Sequence, residues 1–400
     1  MSDQIQNLIQ TDEQCCIHNY GRLPFAFSRG EGARLWDING KEYLDFLGGI
    51  AVVLLGHSHL KITEAITRQA QTLIHTANIF YIEPQVQLAA RLSELSGGMR
   101  ALFCNSGTEA NEAAIKLARK YQSKFDAEKV EIISVTDSFH GRTYGALAAT
   151  AQPKYQQGFG PMPEGFRYVE RGNIDALETA ISDKTAAVIL EPIQGESGVW
   201  PLPDEYLQRA RQLCDQHKVL LIFDEIQSGM GRTGKFFAHE WAGVKADIIS
   251  LAKGLANGVP IGAVLATDEV AQAFVPGSHG CTFGGNFLSC AAALATLDVL
   301  HDENLMENAT QVGAYFIDQL NQWKLQSNAI TEVRGRGLMV GVTLAKPIAR
   351  KVLLAALEEG LVLNAVGDSY LRFLPPLTIN NADVDLAMEK LKAALFVVTP

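Results

Sequence analysis

The sequence lacks long hydrophobic runs and lacks the features of a secretory signal. Its longest apolar stretch, GGIAVVLLG at 48–56, is far shorter than the roughly 20 residues that a membrane-spanning helix needs. The start, MSDQIQNLIQTDEQCC, has no positively charged segment followed by an apolar core. We therefore expect no membrane insertion and no export.

Basic blocks and paired cysteine motifs are also missing. The 400 residues carry a formal net charge of −10 and no Lys/Arg-rich segment, which argues against a general nucleic-acid binder. None of the six cysteines forms a CxxC pair or a metal-ligand spacing, so no metal site is predicted. Unpaired cysteines of this kind are typical of a reducing compartment, and the cytoplasm is the expected location.

Short β-branched runs alternate with helical patterns through the middle of the chain. The runs are mostly apolar, as strands covered on both faces are. They are predicted as strands at 131–135, 186–190, 219–224, 247–252 and 261–266, with a helix at 204–217 between two of them. This alternation predicts an α/β fold with a mainly parallel sheet and helices on both faces.

The two ends of the chain have a different pattern. Residues 22–46 alternate like a hairpin around the turn sequence INGK, and 303–323 and 383–395 have helical periodicity. We predict that both termini build one smaller α+β domain. Its segments would be 1–50 and 291–400, with a large cofactor-binding domain at 51–290.

Ligands of open α/β sheets bind beyond the carboxyl ends of the strands. At one such end, in NSGTEAN, Ser106, Gly107 and Thr108 open a helix whose free N–H groups favour an anion such as phosphate. An ordinary helix N-cap explains the same residues. At another, in DSFHGRT, Phe139 and His140 are candidates to present a flat ring, and Arg142 to hold a carboxylate; the alternative is a surface turn.

Charged residues follow three more of the predicted strands. Asp224 ends the apolar run VLLIFD, where a buried carboxylate needs a partner, and a structural salt bridge explains it equally well. Glu191 and Glu196 lie in EPIQGESG. Lys253, in ISLAKGLANG, has no charged neighbour in sequence; a lysine that snorkels into water is the alternative.

Together these features match one ligand, pyridoxal 5'-phosphate, which carries a phosphate, an aromatic ring with a basic nitrogen, and an aldehyde. Lys253 would form the Schiff base with the aldehyde. Asp224 would keep the ring nitrogen protonated, so that the ring can accept electrons. Each motif is weak alone, and the combination is specific.

Long ordered motifs extend this match over nearly the whole chain. They are FCNSGTEANEAAIKLAR, FHGRT, EPIQGESG, LLIFDEIQSGMGRTG, LAKGLANGVPIGA and GSHGCTFGGN. The sequence resembles the class III, fold-type I aminotransferases, and within them the acetylornithine aminotransferases. The resemblance implies a central sheet of seven strands, bound pyridoxal phosphate, and a homodimer with shared active sites.

The resemblance also implies roles for cofactor-binding residues. Lys253 is similar to the lysine that forms the Schiff base and carries the proton, and Asp224 to the partner of the ring nitrogen. Gln227 resembles the residue at the phenolic oxygen of the ring, and Phe139 the one that stacks on it. The residues implied at the phosphate are Ser106, Gly107, Thr108 and, across the dimer interface, Thr282.

Four further residues resemble the substrate-binding set. Arg142 is similar to the arginine that binds the amino donor's carboxylate, and Arg372 to the arginine that binds glutamate or 2-oxoglutarate. Glu196 resembles a gate that pairs with Arg372 when that arginine is not needed. Cys281 stands where relatives usually have a substrate-contacting serine.

The expected reaction transfers the terminal amino group of N2-acetylornithine to 2-oxoglutarate, giving N-acetylglutamate 5-semialdehyde and glutamate, in arginine metabolism. Succinylornithine, N-succinyl-diaminopimelate, ornithine and 4-aminobutyrate are alternative donors. A glutamate-1-semialdehyde aminomutase shares the lysine and fold but needs no external acceptor, so an Arg372-like residue favours the transaminase. A non-catalytic pyridoxal-phosphate-binding protein is a further alternative.

Overall fold

The computed structural model describes residues 3–398. The strands are β1 Phe27–Glu31, β2 Arg34–Asp37, β3 Glu42–Asp45, β4 Arg100–Cys104, β5 Glu131–Val135, β6 Phe166–Val169, β7 Thr185–Leu190, β8 Ile193–Gln194, β9 Trp200–Pro201, β10 Leu220–Asp224, β11 Ile248–Leu251, β12 Gly262–Ala266, β13 Ile330–Arg336, β14 Met339–Leu344, β15 Leu361–Val362, β16 Asn364–Val366 and β17 Tyr370–Phe373.

Helices fill most of the chain between these strands. They are α1 Asp3–Cys15, α2 Gly48–Ala51, α3 Leu60–Thr72, α4 Glu83–Leu95, α5 Gly107–Gln122, α6 Tyr144–Ala149, α7 Pro153–Gln156, α8 Ile174–Ala180, α9 Asp204–His217, α10 Asp268–Ala271, α11 Phe287–Asp302, α12 Leu305–Gln326, α13 Ala349–Glu358 and α14 Asn381–Val398. Two 3-10 helices, Ala238–Ala242 and Lys253–Ala256, follow β10 and β11.

The central sheet has seven strands in the order β4-β12-β11-β10-β7-β5-β6. The neighbours from β11 to β6 pair in parallel, and β12 runs antiparallel to both β11 and β4. The predicted α/β fold with a mainly parallel sheet is therefore confirmed.

Alternate residues of the central strands enter two different hydrophobic clusters. In β10, Leu221 and Phe223 pack with residues of α9, whereas Leu220 and Ile222 pack with residues of α5. Successive side chains of a strand point to opposite faces, so both faces of this strand are covered by helices. That arrangement explains why the strand sequences are apolar without alternation.

Strands from both ends of the chain share a smaller sheet. It has the order β1-β2-β3-β15, and β15 near residue 361 pairs in parallel with β3 near residue 44. Another sheet, β13-β14-β17-β16, carries Arg372 on β17. The division into 1–50, 51–290 and 291–400 stays a prediction; its second boundary falls inside α11.

Among the helices of residues 3–398, none combines the length and apolar character required to cross a bilayer.

Candidate active site

The carboxyl ends of β4, β5, β7, β10 and β11 surround a cavity of about 400 Å³. This is the edge at which parallel sheets bind ligands. The cavity's lining brings together most of the residues predicted from the sequence: Ser106, Gly107, Thr108, Phe139, Arg142, Glu196, Asp224, Gln227 and Lys253.

The first turn of α5 forms one wall of the cavity. Ser106 is the N-cap, its hydroxyl oxygen accepting from the N–H of Glu109, while the Glu109 carboxylate accepts from the N–H of Asn105 at 2.7 Å. The N–H groups of Gly107 and Thr108 have no intrahelical acceptor and bond to nothing else within residues 3–398. Two free donors at the positive end of a helix favour a bound anion.

The side chain of Thr108 ties this helix to the segment after β5. Its hydroxyl oxygen accepts from the N–H groups of Arg142 and Thr143, at 3.1 and 3.2 Å. Gly141, with φ of 140°, lies so close that an added Cβ would be 2.2 Å from the Thr108 oxygen. Only glycine fits there, so the turn at Gly141 has a steric cause.

Asp224 is held at the end of β10 by donors from two other elements. Its Oδ2 accepts from Asn111 Nδ2 and from His140 Nδ1, both at 2.7 Å. Asn111 in turn accepts from the Ser250 hydroxyl at 2.7 Å. His140, a candidate to present a flat ring, is fully buried and also lines the cavity, and its Nδ1 contacts Asp224; its role toward a ligand stays a prediction.

Lys253 follows β11 with a left-handed backbone conformation, φ 44°. Its side chain lies at the cavity, and it forms no hydrogen bond or ion pair within residues 3–398. Burial lowers the pKa of Lys253 below its ordinary value, although Glu196 opposes that effect. A larger fraction of a desolvated amine is neutral, and the neutral form is the one that attacks a carbonyl.

Glu196 and Arg372 form an ion pair of 2.7 Å beside the lysine. Arg372 is only 2% exposed and does not line the cavity itself, but it bonds to two lining residues, Glu196 and Gln227. Burial alone would raise the pKa of Glu196; the charges of Arg372 and Lys253 instead hold it at about 2. Glu196 is therefore ionised at neutral pH.

Glu191 links two cavity segments from the end of β7. Its carboxylate accepts from the N–H of Phe139 at 2.9 Å and from that of Gly195 at 3.4 Å. Burial, with the charge of Asp224, raises the pKa of Glu191 well above its ordinary range. The backbone that carries Phe139 is thus joined to the backbone that precedes Glu196.

The remaining predicted residues lie at or beyond the rim. Arg142 is exposed and places its guanidinium 4.0 Å from the Tyr155 ring centroid and 5.5 Å from that of Phe139. Cys281 and Thr282 are outside the cavity lining, on a loop that Asn105 reaches through a 3.1 Å contact with the Cys281 sulfur. Thr282 is exposed in the single chain.

The residues present fit pyridoxal phosphate. Free N–H groups of Gly107 and Thr108 suit its phosphate, the Asp224 carboxylate suits a protonated ring nitrogen, and Lys253 suits its aldehyde. Apolar side chains of Phe139 and Ile226 are available to the ring. Sequence reasoning assigned no role to Ile226, or to Asn111, whose contact with Asp224 depends on packing between α5 and β10.

Comparisons with known proteins agree with this geometry. The family model for class-III aminotransferases matches residues 16–395. The acetylornithine aminotransferase of Methanocaldococcus jannaschii is 50% identical over 96% of this chain and 97% of its own. Acetylornithine aminotransferase 1 of Bordetella pertussis is 48% identical over 92% of this chain and 93% of its own.

Two solved structures have the same fold. The ornithine aminotransferase of Toxoplasma gondii ME49 superimposes with a TM-score of 0.95 at 37% identity, over 98% of this chain and 96% of its own. The acetylornithine aminotransferase of Elizabethkingia anophelis gives 0.88 at 34% identity, over 98% and 99%. On this evidence the chain belongs to the class-III aminotransferases.

Proposed function

We propose that this protein transfers the terminal amino group of N2-acetylornithine to 2-oxoglutarate, with pyridoxal phosphate as cofactor, in arginine metabolism. The products are N-acetylglutamate 5-semialdehyde and glutamate. The observation that carries the proposal is the Glu196–Arg372 pair beside Lys253, because it places a buried cation next to the reactive amine. Relatives named for acetylornithine and 45–50% identical over nearly the full chain support this donor.

When bound, the cofactor supplies an aldehyde that captures amino groups and a ring that withdraws electrons. The chain's own residues hold and tune it. Gly107 and Thr108, with Ser106 beside them, bind the phosphate, and Asp224 keeps a proton on the ring nitrogen. His140 and Asn111 fix the Asp224 carboxylate in place by bonding to its Oδ2.

Lys253 is the proton carrier of the site. Among residues 3–398 its Nζ has no hydrogen-bond or ion-pair partner that would hold it away from the cavity, and its lowered pKa increases the neutral fraction at neutral pH. A neutral Nζ would take a proton from the amine-bearing carbon of the substrate and release it to the cofactor carbon that receives the amino group. Gln227 donates to Glu196 and accepts from Arg372, and its amide would hold the ring's phenolic oxygen when the cofactor is bound.

Two arginines and one movable carboxylate explain how one cavity takes two unlike substrates. Arg142 at the rim binds the donor's carboxylate, a group that both substrates carry. Arg372 binds the second carboxylate of 2-oxoglutarate. Glu196 neutralises Arg372 while the amine is bound, and leaves it when the dicarboxylate arrives.

We further propose a homodimer with shared active sites. Exposed apolar side chains gather on the segment around Ile79, Phe80 and Tyr81, with Tyr81 97% exposed. Asn78 bonds the carbonyls of Cys281 and Gly284, so this segment supports the loop of Thr282. A second copy covering this surface would bring Thr282 to the partner's phosphate site. The cytoplasm remains the proposed location.

The test is a single-turnover panel with the purified, cofactor-loaded protein. Acetylornithine, succinylornithine, ornithine, 4-aminobutyrate and glutamate are added separately, and the visible absorbance of the cofactor is followed. Rapid bleaching by acetylornithine and glutamate, with slow bleaching by the others, is the expected result. Faster bleaching by another amine would change the donor, and no bleaching by any amine would reject the transaminase proposal.

A further inference from the structure

We propose that Asn364 is a positioning residue that decides which edge of the Arg372 guanidinium faces the keto-acid substrate, and that it thereby favours dicarboxylates. The inference rests on the proposed function, in which Arg372 binds 2-oxoglutarate. Asn364 makes no contact with the reacting atoms, yet it would belong to the residues that determine which substrate is selected.

The sheet places the two residues side by side. Asn364 begins β16 and lies opposite Arg372 of β17 in the antiparallel register. Directly opposed residues have Cβ atoms about 4.5–5.5 Å apart on the same face of the sheet. Asn364 therefore contacts Arg372 with or without bound substrate, since the backbone hydrogen bonds between the two strands set their separation.

Asn364 holds one edge of the guanidinium with a single atom. Its Oδ1 accepts from Arg372 Nε at 3.2 Å and from Nη2 at 2.8 Å. These two N–H groups share one side of the planar fork. The amide must turn its oxygen to the arginine, because its NH₂ group would place N–H donors against the N–H donors of the guanidinium. A two-point contact of this kind prevents rotation of the guanidinium plane.

The opposite corner of the guanidinium points to the gate. Arg372 Nη1 donates to Glu196 at 2.7 Å, to the Gly195 carbonyl at 3.0 Å and to Gln227 at 3.2 Å. When Glu196 moves away, the donor that it frees lies on Nη1, while Asn364 still holds the Nε side. The incoming carboxylate then meets a guanidinium that is already oriented.

The neutrality of Asn364 is part of its role. An amide oxygen orients Arg372 without cancelling its charge, so the full cation remains for the dicarboxylate. A carboxylate at the same position would form a permanent bidentate ion pair with Arg372. Such a pair would compete with the substrate, whereas the donor's single carboxylate at Arg142 would be unaffected.

Two variants of the cofactor-loaded protein test this: Asn364→Asp, which adds a charge at constant shape, and Asn364→Leu, which removes the acceptor. The readouts are the dissociation constant of glutarate, an unreactive five-carbon dicarboxylate, and the kcat and the KM for 2-oxoglutarate and for acetylornithine in the overall steady-state reaction. Exposed Asn39→Asp supplies the same charge change away from the site.

Asn364→Asp is expected to raise the glutarate dissociation constant and the 2-oxoglutarate KM by about tenfold or more, with the acetylornithine KM within about twofold. Asn364→Leu should act in the same direction with a smaller effect, and Asn39→Asp should change nothing. Unchanged glutarate binding in both Asn364 variants, or equal effects on the two substrates, would overturn the inference. Failure of the wild type to use acetylornithine would reject the donor alone, because glutarate binding would still test Asn364.

Discussion

His140 and Asp224 meet through a 2.7 Å contact between the imidazole Nδ1 and the carboxylate Oδ2, and neither side chain is more than 4% exposed. The same oxygen accepts from Asn111, which comes from α5 rather than from the His140 segment. A carboxylate bonded from two directions has a fixed orientation. The side of Asp224 that faces the cavity is therefore set before any ligand binds.

Asn111→Leu is expected to lower the free energy of unfolding by about 3 kcal/mol, because a charge-assisted buried hydrogen bond is lost and the Ser250 hydroxyl loses its acceptor. Ser250→Ala should cost about 1 kcal/mol. Urea denaturation at fixed protein concentration measures both. The double variant should be less destabilised than the sum of the singles, and strict additivity would show that the two residues do not act together.

Glu196→Gln is expected to lower the free energy of unfolding by about 2–3 kcal/mol at pH 7, because Arg372 stays buried without a counter-charge. The pKa of Glu196 falls to about 2 from the ordinary 4.5. A lowered carboxyl pKa stabilises the fold above pH 4.5, and this stabilisation is lost as the pH falls from 4.5 towards 2. The difference between wild type and variant should therefore shrink over that range.

Glu178→Gln is the matched control for this variant. Glu178 pairs with Arg209 at 3.3 Å, but both side chains are more than a third exposed. Exposed pairs contribute about 0–1 kcal/mol. An equal loss in the two variants would mean that burial does not strengthen the Glu196–Arg372 pair.

Much of the fold was predictable because strands and helices have local signals. The strand predicted at 219–224 and the helix at 204–217 match β10 and α9 to within a residue. The sheet that joins β15 to β3 has no such signal, since its two strands are more than 300 residues apart in sequence and β15 has two residues. Only tertiary packing specifies that pairing.

The residues of the candidate site likewise fall into those with a local sequence signal and those without one. Lys253, Asp224 and Ser106 could be found because each follows an apolar strand, and strand ends converge in a parallel sheet. Asn111 lies within a helix and Asn364 within a short edge segment, where asparagine has no distinctive pattern. Their roles follow from contacts with Asp224 and Arg372, which no local sequence feature encodes.

Mixed dimers test the proposed sharing of active sites. Thr282→Asp puts a negative charge at the partner's phosphate site and should weaken cofactor binding, while Lys253→Ala should abolish turnover. In a dimer of one chain of each kind, one site has an intact Lys253 and an intact Thr282. Each mixed dimer formed on co-expression should therefore have up to half of the activity of a wild-type dimer. If the mixed dimers have no activity, Thr282 lies outside the partner's site.

Lys253→Met is expected to abolish turnover and yet to raise the free energy of unfolding of the cofactor-free protein by more than about 0.5 kcal/mol, the usual range of surface substitutions. Burial lowers the pKa of Lys253, so the charged form is less stable in the folded than in the unfolded chain. This destabilisation is complete below the folded pKa and fades as the pH rises towards the ordinary 10.5, because the unfolded lysine then also loses its proton.

The gain in stability from methionine should fade in the same way when urea denaturation is measured between pH 7 and 10. Exposed Lys346→Met is the control and should show no gain. An inactive variant without added stability would mean that Lys253 is not a desolvated amine held ready for the cofactor.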